Sequence, residues 1–213
     1  MSFKSVIDRV EKKLQIWKPK NLSCAAKSTL IHTSSTTVPM YQMNCFRIPV
    51  EVSNKIDNIQ RDFFWGKDVS VIRGIYPKAW GKVCIPKELG VMGFLNLRSF
   101  NSAMLAKINW RLVQDPDAML AQVMKNKYYP EHSLLNNEIV CHATSSWGWK
   151  NINKEMPKIR YNSTWVVGNG KTIRIWEDWW CIEIAGNPKP LNEQSMSVTY
   201  VAELMECIGD RWK

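Results

Sequence analysis

A chain of 213 residues with 45% apolar and 23% charged residues has a globular balance and enough length for a core without disulfide staples, which excludes disorder along most of it. No apolar run approaches the roughly 18 residues of a membrane span, and Met1-Ser2-Phe3-Lys4-Ser5 leads into a charged segment rather than a signal core. The net charge of +10 is uneven: residues 1–27 carry +5, 28–66 carry 0, 67–130 carry +6 and 131–213 carry −1.

These features predict an intracellular protein, nuclear or cytoplasmic and not secreted, whose six cysteines are reduced thiols. Two basic blocks can concentrate a polyanion, although Lys-rich helix faces also serve solubility alone.

Phe3, Ile7, Val10, Leu14 and Trp17 recur at helical spacing and predict an amphipathic helix that stops before Pro19. Ser23 is the expected N-cap of a second helix, Cys24 to about Thr36, which Pro39 breaks or kinks. Met40, Met43 and Phe46 extend it as a short helix ending before Pro49. Pro49 suits the first turn of a third helix with the stripe Val52, Ile56, Ile59 and Phe63, capped by Gly66. Residues 67–95, punctuated by Gly and Pro, read as turns and short extended pieces.

A fourth helix is expected from about Leu97 to Val113, with Leu97, Phe100, Met104, Ile108 and Leu112 inward. Asp115-Pro116-Asp117 reads as N-cap, first helical proline and first-turn acid of a fifth helix carrying Leu120, Val123, Met124 and Tyr128. Residues 129–144 read as a loop, and Ser145-Ser146 cap a short helix bearing Trp147, Trp149 and Ile152. Asn169-Gly170 between two β-rich runs predicts a type I′ hairpin in which Val166 pairs with Ile173 and Trp165 with Arg174. Residues 182–199 read as a linker, and Val201 to Ile208 as a terminal helix.

Catalytic chemistry is poorly represented. Two-metal catalysis needs several converging carboxylates. Asp115 and Asp117 are accounted for as helix-start residues, and Glu177-Asp178 as a turn or solvated edge. There is no Gly-rich phosphate loop; Gly90-Val91-Met92-Gly93 lacks the spacing and the Lys-Ser/Thr. Cys24, Cys45, Cys84, Cys141, Cys181 and Cys207 form no close pair, and Cys141-His142 with His132 is the one local cluster, so no metal and no cofactor is expected.

What remains is cationic and aromatic. Of the 11 tryptophans, Trp17, Trp65 and Trp110 belong with helical stripes and the core, whereas Trp147 and Trp149 are candidates for stacking on bases.

The order of motifs resembles a stretch of plant LINE-type (non-LTR) retrotransposon polyproteins of the ribonuclease H protein family, just after the reverse-transcriptase core. It runs through Trp17-Lys18-Pro19-Lys20-Asn21-Leu22-Ser23, Val38-Pro39-Met40-Tyr41-Gln42-Met43, Phe46-Arg47-Ile48-Pro49, Ile56-Asp57 and Phe63-Phe64-Trp65-Gly66. It continues through Trp80-x-x-Val83-Cys84-x-Pro86-Lys87, Asn96-Leu97-x-x-Phe100-Asn101, Ser146-Trp147-x-Trp149-Lys150, Trp165-x-Val167-Gly168-Asn169-Gly170 and Trp176-x-Asp178-x-Trp180. The resemblance covers about residues 5–181. The family has Ala-Gly-Arg where this chain has Ala25-Ala26-Lys27, and its paired catalytic aspartates, zinc segment and ribonuclease H domain are expected beyond residues 1 and 213.

The resemblance implies a mainly α (α+β) fold: a helical thumb-like bundle with short extended pieces and one C-terminal β-hairpin. Its expected parts are a basic thumb-like segment (1–66), a Gly/Pro-rich connection with a helix pair (67–130), a Trp-rich helix and hairpin module (131–181), and a linker with a terminal helix (182–213). It implies a non-catalytic fragment that holds a template–primer duplex non-specifically. Lys12, Lys13, Lys18, Lys20 and Lys27 would touch phosphates, with Lys82 and Lys87 as a second patch. The expected partners are RNA, DNA or hybrid and a polymerase core supplied elsewhere, with no membrane. The alternative is a transposon relic or packing scaffold without independent activity.

Overall fold

The N-terminal apolar spacing is realised as α1 (Lys4–Gln15), which buries Val6, Val10 and Leu14 and leaves its lysines outward. Each such side chain contributes about 1.5–3 kcal/mol on leaving water. The computed structural model describes residues 3–66, 75–130, 134–135, 141–184, 186–192 and 197–204. The chain divides into two compact units, Met1–Leu105 and Ala106–Lys213.

In the first unit, Ser23 Oγ accepts from Ala26 N at 3.2 Å and starts α2 (Cys24–Leu30), as its residue type dictates. The helix then widens into a π-turn over Ile31–Ser35, where Thr36 N donates to Ile31 O at 3.2 Å, before α3 (Thr37–Met43). Pro39 thus falls in the first turn of α3. There its missing N–H costs least, and the widened turn precedes the position where its ring would crowd a helical carbonyl. Pro39 therefore does not end the helical path.

α4 (Val50–Phe64) follows Pro49, which stands one position ahead of the helix. It buries Ile56 and Phe63, and Gly66, with φ of 65°, terminates the path in the left-handed region that glycine tolerates best. Two polar side chains are buried with this stripe. Gln60 Nε2 donates to Ser35 Oγ, and Ser35 Oγ donates to Ile31 O, both at 3.0 Å. The π-turn carbonyl is thus tied to α4. α5 (Trp80–Val83) and a 3-10 turn at Lys87–Leu89 complete the connection. Residues 67–74 lie outside the described residues.

Phe94 is the aromatic centre of this core: Trp80 stacks on it at 5.0 Å, Phe64 meets it edge-on at 5.0 Å, and His32 lies at 5.2 Å.

α6 (Leu97–Gln114) begins in the first unit and ends in the second. Its buried face is Leu97, Asn101, Leu105, Asn109 and Leu112, not the expected Phe100, Met104 and Ile108, which are only partly buried. The phase differs because two asparagines face inward. Asn101 Oδ1 accepts from Ile48 N at 2.8 Å, and its Nδ2 donates to Met43 O at 2.8 Å and Phe46 O at 2.9 Å. Asn109 Nδ2 donates to Ile152 O at 2.7 Å.

In the second unit, α7 (Met119–Tyr128) starts from Ala118, so Asp115-Pro116-Asp117 forms a preceding turn and is not the helix cap. Asp115 N still donates to Arg111 O, closing α6 rather than opening α7. α8 (Trp147–Asn153) is capped by Ser146 Oγ accepting from Trp149 N, as expected, and α9 (Met156–Asn162) follows.

The expected hairpin does not form. The Asn169-Gly170 turn is present: Asn169 Oδ1 accepts from Lys171 N, and Gly170 has φ of 67°. Val166, however, is 90% exposed, and Trp165 N donates to Trp179 O. Ile173–Ile175 instead meets Thr199–Val201. Ile175 N donates to Thr199 O, Val201 N donates to Ile173 O, and Arg174 forms an antiparallel bridge with Tyr200. This pairing buries Ile173, Ile175 and Val201 together, which the local hairpin register would not. The described fold is therefore mainly α, with one β-bridge and no hairpin. The expected terminal helix is a 3-10 turn at Val201–Leu204; residues 205–213 lie outside the described residues.

Candidate nucleic-acid interface

The charge is concentrated in the first unit. Residues 1–105 carry sixteen Lys/Arg against seven Asp/Glu, a net +9, whereas residues 106–213 carry thirteen against twelve, a net +1. All seven candidate lysines belong to the first unit. Lys12 and Lys13 are exposed in the last turn of α1, Lys18 precedes the short 3-10 turn at Pro19–Asn21 and Lys20 lies within it, and Lys82 is exposed on α5.

Two candidates are also engaged with the protein. Lys27 is half-buried, and its ammonium lies 3.3 Å from where a Cβ on Gly66 would stand. It therefore sits at the C-terminal end of α4, where helix carbonyls favour a cation. Lys87 lays its stem over Gly93, 2.8 Å from such a Cβ, so Gly93 has no room for a side chain.

The tryptophan candidates separate. Trp147 is 43% exposed at the start of α8. Trp149 is 1% exposed, with Tyr128 stacked at 4.6 Å and Tyr129 at 5.7 Å. Its ring is a core anchor for α7 and α8, which corrects the base-stacking expectation for this residue. Cys141 and His142 are exposed, and His132 lies outside the described residues. Among the described residues no group of three metal-ligating side chains comes together.

Sequence reasoning missed a polar cleft of about 440 Å³ in the first unit, lined by residues of α4, α5 and the start of α6, including Asn54, Asp57, Trp80, Gly81, Cys84 and Arg98. Burial pushes the Asp57 carboxyl up to about 6, against the pull of the Trp80 indole, Arg98 and Arg61 toward the charged form. Asp57 Oδ1 and Trp80 Nε1 are both shut from water, and the indole N–H is the donor turned toward the carboxyl. Arg98 Nη2 donates to Asn54 Oδ1 across the cleft. Burial, reinforced by Asp57, raises the Cys84 thiol to about 11, so it stays protonated at neutral pH and is a poor nucleophile. The available signal was Asp57 itself, an acid beside the Ile56 stripe.

Asp57 makes stability depend on pH. Its folded value of about 6 lies above the ordinary 3.8, so the folded protein holds this proton more tightly than the unfolded chain. Its contribution is most favourable below about pH 4 and is lost as pH rises to about 6. Partial exposure screens the effect, so Asp57→Asn is expected to flatten this window and raise stability at neutral pH by about 1 kcal/mol. Urea midpoints on either side of the window check this; an unchanged slope would remove Asp57 as its source.

A second cleft, in the second unit, is lined by Tyr161, Trp165, Trp176 and Trp179 with Glu177 and Asp178. Burial raises the Asp178 carboxyl, whose Oδ2 accepts from Arg174 N at 2.8 Å. Glu177 is held by Arg174 at 2.7 Å, so both acids serve the turn after Ile175.

No family model and no solved structure matches the chain. It is similar to a protein of Arabidopsis thaliana named a putative ribonuclease H protein, at 28% identity over 188 residues, 88% of this chain and 30% of that protein. It is also similar to an uncharacterized mitochondrial protein of Arabidopsis thaliana, at 30% identity over 156 residues, 73% of this chain and 99% of that protein. The match thus spans less than a third of the first relative and nearly all of the second.

Proposed function

The chain belongs to the plant family of that Arabidopsis mitochondrial protein, and on this footing we propose that it is a retrotransposon-derived, non-catalytic nucleic-acid-binding segment. In this reading it descends from the post-palm region of a LINE reverse transcriptase and holds a template–primer duplex through its basic first unit. The observation that carries the proposal is the +9 charge on residues 1–105 against +1 on the remainder. The name of the relative matched over 88% of this chain also points to nucleic-acid chemistry. Lys12, Lys13, Lys18 and Lys20 contact phosphates, which position a duplex without reading its sequence. Lys82 forms the second patch with Lys87, and Lys27 combines phosphate contact with its place at the end of α4.

Fluorescence anisotropy of a labelled RNA–DNA hybrid across a salt series tests this. Binding is expected at low salt and should weaken steeply as salt rises. Replacing Lys12, Lys13, Lys18 and Lys20 together by glutamine should reduce the log–log slope by about 3 to 4, at about 0.9 per lost duplex contact. Absence of binding at low salt would overturn the proposal. In that case the packing-scaffold reading takes its place, favoured by the exposed apolar residues Met119, Leu120 and Val123 on α7.

A further inference from the structure

The buried stripe of α1 stops one position short of its sequence pattern. Val6, Val10 and Leu14 are buried, but Trp17, the next position in the spacing, is 44% exposed and its neighbour Ile16 is 76% exposed. Both stand outside the core of the first unit, which Trp17 was expected to join. Among the described residues the Trp17 indole meets no other ring, and its N–H meets no acceptor. The backbone nevertheless holds it in place. Ile16 keeps helical angles and Trp17 N donates to Leu14 O at 3.2 Å, so Lys13 lies one turn behind Trp17 and Lys12 one turn behind Ile16. Lys18 follows in the extended form that a residue before proline takes, with φ of −80° and ψ of 102°. Its carbonyl accepts from Asn21 N at 3.1 Å and closes the short turn that contains Lys20. An exposed indole is thus displayed on a braced backbone, with lysines before and after it.

We propose that Trp17 is a stacking platform for an unpaired base, at the point where a single strand leaves the duplex that the neighbouring lysines hold. The inference rests on the nucleic-acid reading above and deepens it: the substrate is a duplex with a single-stranded extension rather than a blunt duplex. The chemistry of the patch selects this occupant. Every base has a π-face, so an indole beside cations takes the base while the cations take the phosphates on either side. An anionic membrane surface would match the same charge, but a helix lying on a bilayer puts its apolar face into the lipid. That face of α1 is already buried in the core, which leaves only Ile16 and Trp17. A second copy of the chain, docked by the same face, would set one +9 unit against another.

The test compares two labelled RNA–DNA hybrids whose DNA strand ends in a short single-stranded overhang of equal length, one with normal bases and one abasic. The two offer the same phosphates, so their affinity ratio reads the bases alone. The normal overhang should bind about tenfold tighter, within the range for stacking one base on an aromatic side chain. Trp17→Ala should bring the ratio near one and leave the salt slope unchanged, because the lysine–phosphate contacts that set the slope remain. Trp17→Phe keeps a ring and should retain most of the preference. A 2-aminopurine in the overhang should lose fluorescence on binding the native chain, and lose less on binding the alanine variant.

Equal binding of the two overhangs overturns the stacking platform and leaves the phosphate reading standing. So does a preference that survives Trp17→Ala, including the case in which that variant weakens both hybrids by the same factor, the mark of a structural role. Absence of binding to either hybrid at low salt overturns both readings, and binding of phosphatidylserine vesicles in that case assigns the patch to a membrane.

Discussion

Trp149→Ala is expected to destabilise the second unit by about 4 kcal/mol, the range for a buried large aromatic cut to a methyl group. The indole is 1% exposed and stacked against Tyr128 and Tyr129, so its removal opens a cavity between α7 and α8. The same substitution takes away two aromatic contacts worth about 0.5–1.5 kcal/mol each beyond area burial. Trp149→Phe keeps a ring in the stack and should cost less than half as much. Native-state hydrogen exchange of the α8 amides measures the loss within the second unit, which a whole-chain melt of a two-unit protein would blur. An alanine variant with unchanged protection would show that the ring is not structural and would return it to the list of base-stacking candidates.

Asn101→Leu is the second large effect, expected to cost the first unit about 3 kcal/mol although the side chains are close in volume. The amide satisfies three backbone groups: Ile48 N, Met43 O and Phe46 O. Leucine would leave all three buried or nearly so without partners, and an orphaned buried group costs about 1–3 kcal/mol. Asn101 ties the segment between α3 and α4 to α6 through these hydrogen bonds, so loosening should appear first as faster exchange of the Ile48 amide. If that amide stays protected in the leucine variant, another group holds the segment. The paired test separates polar satisfaction from packing: Leu105→Ala, on the same buried face, removes volume but orphans no backbone group.

These two residues also mark where sequence reading succeeds and where it stops. α1 was legible because its apolar spacing is uninterrupted, and the caps of α2 and α8 were legible because a serine hydroxyl accepts from the first turn in both. The phase of α6 was not, because Asn101 and Asn109 count as polar in any periodic template. Their partners, at residues 43–48 and 152, are remote in sequence. The Asn-Gly turn was legible as a turn, but its strands were not. Ile173–Ile175 pairs with residues 199–201, where the expected linker gives way to the expected terminal helix, and nothing local favours that choice over Val166.

For the interface, exposure of Lys12, Lys13, Lys18, Lys20 and Lys82 followed from their place outside the apolar stripes. The ties of Lys27 to Gly66 and Lys87 to Gly93 depend on tertiary approach and left no trace in spacing. The Asp57 cleft gathers side chains from α4, α5 and the start of α6, so only the fold brings its parts together.

The π-turn at Ile31–Ser35 has an evolutionary reading. Such a turn is what a helix becomes when one residue is inserted and the flanking turns keep their facing. Without that extra residue, residues 24–43 would form one regular helix with Pro39 deep inside it, where a proline costs about 3 kcal/mol or more. The length of this stretch and the identity of residue 39 are therefore coupled. Relatives one residue shorter here should carry something other than proline at the equivalent place, and an alignment that opens a single-residue gap in this helix describes real geometry rather than an error.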